Sequence, residues 1–227
     1  MSPSVPVTYA VNVLPGELAS LANSTDKGIH DHGFVEVYER FFFQYRYKPI
    51  RILEIGIYNG DSLKLWGNYF QQASIFGIDI SPKIECDTDV VKTFVADQSN
   101  RTQLQSFIDA HGGDFDFIID DGGHSMEQQQ VSFGFLFPFV KPGGYYVIED
   151  LHTSIPSLHP EFSPTPETST LVMIENFVKR MPPHLQSKYM RPYETEYIQL
   201  NIELISLNAR NRAGNGRSVT CLFQKKT

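Results

Sequence analysis

The chain has 227 residues, 41% of them hydrophobic and 20% charged, a composition typical of one large globular domain with a sizeable core. Its 26 acidic residues outnumber the 19 basic ones, and the net charge of -7 argues against a nucleic-acid backbone or an anionic membrane surface as the main partner. Two cysteines do not make a disulfide framework, and no apolar run approaches the ~20 residues of a membrane span or follows the pattern of a secretory signal, so we expect a cytoplasmic protein.

The first part of the chain predicts a helical cap. Apolar residues recur at helical spacing over 31–46, and we expect this helix to pack on the rest of the protein. We therefore divide the chain into an N-terminal helical cap segment over 1–49 and a main domain over 50–227.

From residue 50 onward, short apolar runs alternate with helical stretches, as in βαβ units with a parallel sheet. The predicted parallel strands cover 50–56, 74–80, 91–97, 115–120 and 143–150. Two further strand-like runs, 196–208 and 217–226, are joined by a Gly- and Asn-rich stretch that suits an antiparallel hairpin. The sequence therefore predicts an α/β protein with a Rossmann-like, doubly wound, mostly parallel seven-stranded sheet that ends in an antiparallel hairpin.

The stretch over 151–170 contains four prolines and predicts an irregular loop. A loop of this length inside a compact domain usually serves as a lid or a binding element. A disordered connection is the alternative.

Acidic residues end four consecutive predicted strands, namely Glu54, Asp79, Asp97 and Asp120. In open α/β sheets the ligand lies beyond the carboxyl ends of the strands, where Gly56 and Gly60 would let the backbone approach it closely. These glycines do not spell the G-x-G-x-x-G turn of a dinucleotide site, so a ligand without a pyrophosphate fits better. Asp79 suits a ribose diol, and Asp97 with Gln98 suits an adenine edge.

Asp121 lies just past the end of the fourth predicted strand, and Glu149 and Asp150 lie at the end of the fifth. We expect them to converge, and crowded carboxylates repel one another unless a cation neutralises them. Ligation by oxygen alone favours Mg²⁺. Because neighbouring side chains of a strand point to opposite faces, Glu149 and Asp150 can reach one ion only if the strand stops there. Helix capping and pairing with basic residues are the alternatives for these acids.

His124 follows Asp121 after two glycines that give the backbone freedom to turn. Histidine is the usual general base near neutral pH, although a histidine in a loop is often a surface or structural residue. The neighbouring candidate metal site favours the catalytic interpretation, in which His124 takes a proton from an acceptor hydroxyl.

The segments "LEIGIYNGDS" and "GIDIS", together with the terminal hairpin, resemble the class I S-adenosylmethionine-dependent methyltransferases over about residues 50–226. In that family Asp79 would bind the ribose, and Asp97 with Gln98 would flank the adenine. The cofactor-binding set that the resemblance implies consists of Glu54, Gly56, Gly60, Asp79, Asp97, Gln98 and Asp120.

Two other motifs, "DDGGH" and "ED" followed by "LHTS", resemble the metal-dependent sugar O-methyltransferases of macrolide and related antibiotic biosynthesis, the mycinamicin type. The resemblance implies S-adenosylmethionine and Mg²⁺ as cofactors, with His124 as the base. It implies three metal ligands, Asp121, Glu149 and Asp150. The expected substrate is a hydroxyl of a small, glycosylated natural product, with neither nucleic acid nor membrane as a partner.

The segment "STDKGIHDHGFVEVYERFF" also resembles the part of such enzymes that precedes the core and helps to cover the cofactor. This likeness places Thr25, Asp26 and Lys27 near the cofactor, although a plain helix N-terminus would explain the same residues. Enzymes of the mycinamicin type carry an additional N-terminal domain, whereas residues 1–49 alone precede the core here. Formation of a homo-oligomer and acceptor specificity therefore stay open.

Three other functions compete with this interpretation. An NAD-dependent oxidoreductase would need the glycine turn that is missing and gives no reason for the three acids. A catechol-type or hydroxylase-related O-methyltransferase would share the core but would act on a non-sugar hydroxyl. A non-enzymatic S-adenosylmethionine or nucleotide binder would have no need of His124.

Overall fold

The computed structural model describes residues 16–162, 165–211 and 216–227, and within these ranges the chain forms one seven-stranded sheet. The strands are β1 Ile50–Ile55, β2 Ala73–Asp79, β3 Val91–Val95, β4 Phe115–Asp120, β5 Val140–Ile148, β6 Ile202–Asn211 and β7 Arg217–Lys225. Their order is β3-β2-β1-β4-β5-β7-β6; the first five strands in the chain are parallel, and β7 pairs antiparallel with both β5 and β6. The predicted fold class is confirmed.

Helices cover both faces of the sheet. They are α1 Glu17–Leu21, α2 Phe34–Phe42, α3 Asp61–Tyr69, α4 Arg101–His111, α5 Met126–Leu136, α6 Thr170–Val178, α7 Pro183–Gln186 and α8 Pro192–Asn201. None of those helices combines the length and the apolarity that crossing a lipid bilayer requires.

Two apolar layers sandwich the sheet. On one face α1, α2 and α3 bury Tyr38, Phe42 and Trp66 against the inner strands. On the other face α4, α5, α6 and α8 form the second layer, in which Phe133 and Phe177 are buried. This double burial explains why four of the six residues in each of β1 and β4 are apolar and why these residues lie on both faces of the sheet.

The strand order reverses between β1 and β4, the two central strands. Chain connections leave this point in opposite directions, so a crevice opens beyond the carboxyl ends of the two strands. The loops after Ile55 and Asp120 border the crevice, and the loops that follow β2, β3 and β5 reach the same edge. This carboxyl edge is where the sequence placed its candidate site residues.

The predicted first strand of the hairpin was partly wrong. We predicted strand over 196–208, but residues through Asn201 belong to α8, and only from Ile202 does the chain form β6. The helix begins at Pro192, and the side chain of Glu194 accepts a hydrogen bond from the Arg191 backbone N–H at 2.8 Å. Proline at the first helical position is pre-organised for a helix, and this local start overrides the strand-like alternation that follows.

Residues 151–162 and 165–169 are irregular, as predicted, apart from the short 3-10 turns Leu151–Ser154 and Pro166–Thr168, and α6 begins at Thr170. Residues 163–164 of this loop, 212–215 of the hairpin connection and 1–15 of the cap segment lie outside the described residues. Residues from α1 and α2 share the apolar layer of α3, so this part of the cap covers one face of the sheet. The domain boundary at residue 49 stays a prediction.

Candidate active site at the carboxyl edge

A cavity of about 550 Å³ opens at the crevice between β1 and β4. The predicted site residues that line it are Thr25, Gly56, Asp79, Asp97, Gln98, Asp121, His124 and Asp150, together with Asp26. Other predicted site residues do not line it, namely Lys27, Glu54, Gly60, Asp120 and Glu149. The acids and the candidate base thus meet at one edge, while a second group of charged side chains lies beneath the surface of the cavity.

Gly56 allows the loop after β1 to touch the loop after β4. Its φ is +85°, and a Cβ atom there would lie 2.1 Å from the carbonyl oxygen of Asp121. No other residue fits such an approach without displacing the backbone. Gly60, which precedes α3, faces the Cys86 thiol and not the cavity.

Asp79 is fixed by backbone donors at the end of β2. Its Oδ2 accepts from the Ile57 N–H at 2.9 Å, and its Oδ1 accepts from the Ser81 N–H at 2.9 Å. Each carboxylate oxygen can accept more than one hydrogen bond. Asp79 therefore holds the turn after β1 and keeps acceptor capacity toward the cavity that it lines.

Asp120 anchors the loop that carries Asp121 and His124. Its Oδ1 accepts from Gln98 Nε2 at 3.0 Å, and its Oδ2 accepts from the hydroxyls of Ser132 and Tyr146. Burial raises the pKa of Asp120 to about 6, although these hydrogen bonds from Ser132 and Gln98 oppose the rise. Asp120 is thus a structural support of the site, and of this group only Gln98 lines the cavity.

Asp121, His124 and Asp150 each place one ligand atom so that all of these atoms lie within 4.8 Å of one another. His124 Nε2 is 3.5 Å from Asp150 Oδ2. The backbones of His124 and Asp150 have φ values of +60° and +52°, a strained conformation for residues other than glycine that clusters at functional sites. β5 stops at Ile148, as the prediction required, and Asp150 turns toward the cavity.

Glu149 takes a different direction from Asp150. Its Oε2 accepts from Lys27 Nζ at 2.8 Å, and its Oε1 accepts from the Tyr38 hydroxyl at 2.5 Å. The residue is 1% exposed and lies below the cavity. The structure therefore brings Asp121 and Asp150 together with His124, while the role of Glu149 as a metal ligand stays a prediction.

Lys27 is fully buried among carboxylates. Its Nζ donates to Asp121 Oδ2 at 2.5 Å and lies 3.5 Å from Glu54 Oε1. Glu54 itself accepts from Ser62 Oγ and Trp66 Nε1 of α3. The sequence placed Lys27 and Glu54 against the cofactor, whereas the structure places both beneath the cavity and in contact with each other.

Two histidines near Asp150 were missed by the sequence analysis. Nδ1 of His32 and Nδ1 of His152 lie 3.4 and 3.7 Å from Asp150 Oδ1. Burial lowers the pKa of His152, which favours the neutral imidazole. The only signal was the presence of these histidines inside the two quoted motifs, "GIHDHG" and "EDLHTS".

Several buried polar atoms of this edge lack a hydrogen-bond partner within the described ranges. They are His124 Nδ1, Asp150 Oδ1, His152 Nδ1 and Glu54 Oε1. Buried polar groups are normally paired, so a cluster of orphaned atoms beside a cavity indicates a place for a ligand or an ion. The proline-rich loop also reaches this place, because Phe162 packs edge-on against the His124 ring with 6.3 Å between centroids.

Comparison with known proteins gives a family match described as a methyltransferase domain over residues 53–151. A curated relative, the 8-demethyl-8-(2-methoxy-alpha-L-rhamnosyl)-tetracenomycin-C 3'-O-methyltransferase of Streptomyces olivaceus, is 42% identical over 149 residues, which are 62% of this chain and 38% of that protein. The demethylmacrocin O-methyltransferase of Streptomyces fradiae is 42% identical over 130 residues, which are 54% of this chain and 33% of that protein.

Among solved structures, the MycE methyltransferase of the mycinamycin biosynthetic pathway, in complex with Mg and SAH, matches with a TM-score of 0.74 and 28% identity. The match covers 93% of this chain and 55% of that one. The chain thus spans about half the length of this structural relative and 33–38% of the two curated relatives. These findings confirm the resemblance to methyltransferases of macrolide and related pathways.

Proposed function

We propose that this chain catalyses the transfer of a methyl group from S-adenosylmethionine to a sugar hydroxyl of a glycosylated natural product, with Mg²⁺ as a cofactor. The observation that carries the proposal is the convergence of Asp121, His124 and Asp150 within 4.8 Å beside a cavity of about 550 Å³. The relatives named above, which methylate sugars or bind Mg and SAH according to their names, support it.

The residues at this edge fit a hard divalent cation. Asp121 and Asp150 offer carboxylate oxygens, the ligands that Mg²⁺ prefers, and Asp150 Oδ1 is a buried acceptor without a hydrogen-bond partner in the described ranges. Asp121 and Asp150 would hold the ion, with Glu149 as the further ligand that the sequence predicts. The ion would supply positive charge that lowers the pKa of a nearby hydroxyl.

The cavity also fits the cofactor. Its volume lies within the usual range of small-molecule sites, ~300–1,000 Å³. Gly56 allows close approach of a ligand to the backbone, Asp79 offers acceptors for a ribose, and Gln98 with Asp97 lines the far end after β3. S-adenosylmethionine would supply the sulfonium methyl group.

His124 would accept the proton of the acceptor hydroxyl. The residue lines the cavity, and one nitrogen faces Asp150 while Nδ1 has no described partner, so the ring has a free position for proton transfer. Imidazole is the side chain most often used for this task near neutral pH. Phe162 contacts the ring edge-on on one side.

The experiment is a methyl-transfer assay with S-adenosylmethionine, with and without Mg²⁺, on demethylmacrocin, mycinamicin VI and a rhamnosylated tetracenomycin. We expect turnover of at least one glycosylated acceptor that stops when a chelator removes the metal. Preferred turnover of a catechol would keep methyl transfer but contradict the sugar acceptor. Absence of turnover on every acceptor, in a protein that binds neither S-adenosylmethionine nor Mg²⁺ in calorimetry, would contradict the proposal.

His124→Ala separates the base from the metal ligands. We expect it to reduce turnover by ~10²-fold or more while the Kd for Mg²⁺ stays within about threefold of wild type. His184→Ala, at an exposed position on α7, is the matched control and should keep full turnover. A variant at His124 that loses metal binding together with turnover would make this histidine a ligand and not the base.

A further inference from the structure

Lys27 is an unusual lysine because its side chain is completely buried. Removing an ammonium from water costs several kcal/mol, and the protein offsets this cost only with close anionic partners. Here the partners are Asp121 Oδ2 at 2.5 Å, Glu149 Oε2 at 2.8 Å and Glu54 Oε1 at 3.5 Å. These three carboxylates surround the ammonium with negative charge and so offset the cost of its burial.

We propose that Lys27 is a positioning residue, whose ammonium fixes the Asp121 carboxylate for a divalent ion at the cavity. The proposal rests on the proposed function, because it concerns the same metal. The contact with Lys27 occupies Oδ2 of Asp121 and sets the rotation of the carboxylate, which leaves Oδ1 for the cavity side. Without this contact the Asp121 carboxylate would adopt several orientations, and binding of the ion would have to include the entropy cost of fixing one of them.

The ammonium is itself held in place from the opposite side. Glu149 accepts from Lys27 with one oxygen and from the Tyr38 hydroxyl with the other, and Tyr38 belongs to α2. The chain of contacts therefore runs from the cap helix through Glu149 and Lys27 to Asp121. Each of these side chains except Asp121 is at most 2% exposed, so solvent does not compete for the contacts.

The loop around Lys27 is built to hold it. Gly28 N donates to Thr25 O at 3.1 Å, and Val35 N donates to Lys27 O at 3.2 Å. A Cβ atom on Gly28 would lie 2.6 Å from the carbonyl oxygen of Ala22. The backbone on both sides of Lys27 is thus tightly folded against Ala22, the residue after α1, and against the start of α2, as a fixed group requires and a mobile one does not.

The test uses the double variant Lys27→Met/Glu54→Gln, which removes one positive and one negative charge, keeps the net charge of the site and leaves the candidate ligands Asp121, Glu149 and Asp150 unchanged. Titration of wild type and variant with magnesium chloride alone in a calorimeter gives the Kd for the metal. We expect the variant to bind Mg²⁺ about 10- to 100-fold more weakly, the usual effect of losing a partner of a metal ligand. Its Kd for S-adenosylmethionine should stay within about threefold of wild type, which a general loss of structure would not allow.

The matched control is Lys141→Met/Asp116→Asn at the amino edge of the sheet, where Lys141 Nζ lies 3.0 Å from Asp116 Oδ2. It removes an ion pair of the same kind and should leave the Kd for Mg²⁺ unchanged. Tyr38→Phe provides a milder variant that keeps the ring packing and removes only the hydroxyl that holds Glu149. We expect it to weaken Mg²⁺ binding by about threefold or more, which also covers the case in which the double variant does not fold.

The outcomes separate this inference from the proposed function. If wild type binds Mg²⁺ and Lys27→Met/Glu54→Gln or, should that variant not fold, Tyr38→Phe binds it equally well, Lys27 has no positioning role and the proposed function stands. If wild type binds S-adenosylmethionine but no divalent ion, the metal part of the proposed function fails and the inference fails with it. Weaker Mg²⁺ binding in the variants, with S-adenosylmethionine binding unchanged, supports both.

Discussion

At the amino edge of the sheet, Asp116 accepts a hydrogen bond from the Arg51 backbone N–H at 2.9 Å. Asp116 also forms an ion pair at 3.0 Å with Lys141, and the Lys141 side chain is 41% exposed. At the carboxyl edge, Glu54, Glu149 and Asp121 share the single buried ammonium of Lys27. At the amino edge, therefore, the acid is paired with a lysine that solvent reaches. At the carboxyl edge, three carboxylates surround one lysine that solvent does not reach. An arrangement that costs this much stability, and leaves orphaned atoms beside a cavity, indicates selection for chemistry and not for folding.

The largest difference between the edges should come from Lys27→Met. The substitution leaves Glu149 and Glu54 buried without their cation, and breaking a buried pair in this way costs about 3–5 kcal/mol. We expect that loss in the free energy of unfolding, measured in urea near neutral pH without added metal. Adding Glu149→Gln should recover part of the loss. A single variant within about 1 kcal/mol of wild type would contradict the balance of charges described above.

An intermediate effect should appear in the pH dependence of stability. Burial raises the pKa of Glu54 from its ordinary value of 4.5 to about 7, so between these pH values the folded protein binds this proton more tightly than the unfolded chain. The stability that this group contributes is complete below pH 4.5 and is lost as the pH rises through 7. Glu54→Gln should remove up to about 3 kcal/mol of that decline.

The measurement for Glu54→Gln is urea unfolding at a series of pH values from 4.5 to 7.5. Glutamine keeps an acceptor for Ser62 and Trp66, so the variant changes the titration and preserves the contacts with α3. Equal slopes for wild type and variant across this range would show that Glu54 is already ionised throughout and that Lys27 fully compensates its burial.

The smallest effect should come from Lys141→Met at the amino edge. Because this lysine is partly exposed, its ion pair is worth about 1 kcal/mol or less, and Asp116 keeps the hydrogen bond from Arg51. Urea unfolding of this variant beside Lys27→Met compares the two edges directly. A loss above about 2 kcal/mol would erase the contrast between them.

The strands of the sheet could be predicted from the sequence because the spacing of apolar residues and the positions of turn residues are local signals. Every strand of the sheet was predicted, but residues 196–201 were assigned to a strand although they belong to α8. The apolar residues of this stretch fit either a helix or a strand. Pro192 at the first position of α8 favours the helix. The acids at the strand ends were also found, because the carboxyl ends of parallel strands meet at one edge whatever the details of packing.

What the sequence did not predict are contacts between side chains that are far apart in the chain. Lys27 was placed near the site by resemblance, but its partners Asp121 and Glu149 lie 94 and 122 positions away. Glu149 and Asp150 are adjacent in the sequence and face different surroundings, because Asp150 adopts a left-handed backbone that no pattern of residue types announces. The approach of His32 and His152 to Asp150 depends on the packing of three separate segments.

The location of Lys27 has a practical consequence for anyone who would borrow this catalytic unit. The region that matches the methyltransferase family, residues 53–151, contains the three acids that contact Lys27, namely Glu54, Asp121 and Glu149, but not Lys27 itself. A truncated fragment or a chimaera grafted from that region alone would inherit anions without their counter-charge. The smallest portable piece of this protein must therefore reach back at least to the turn that carries Lys27.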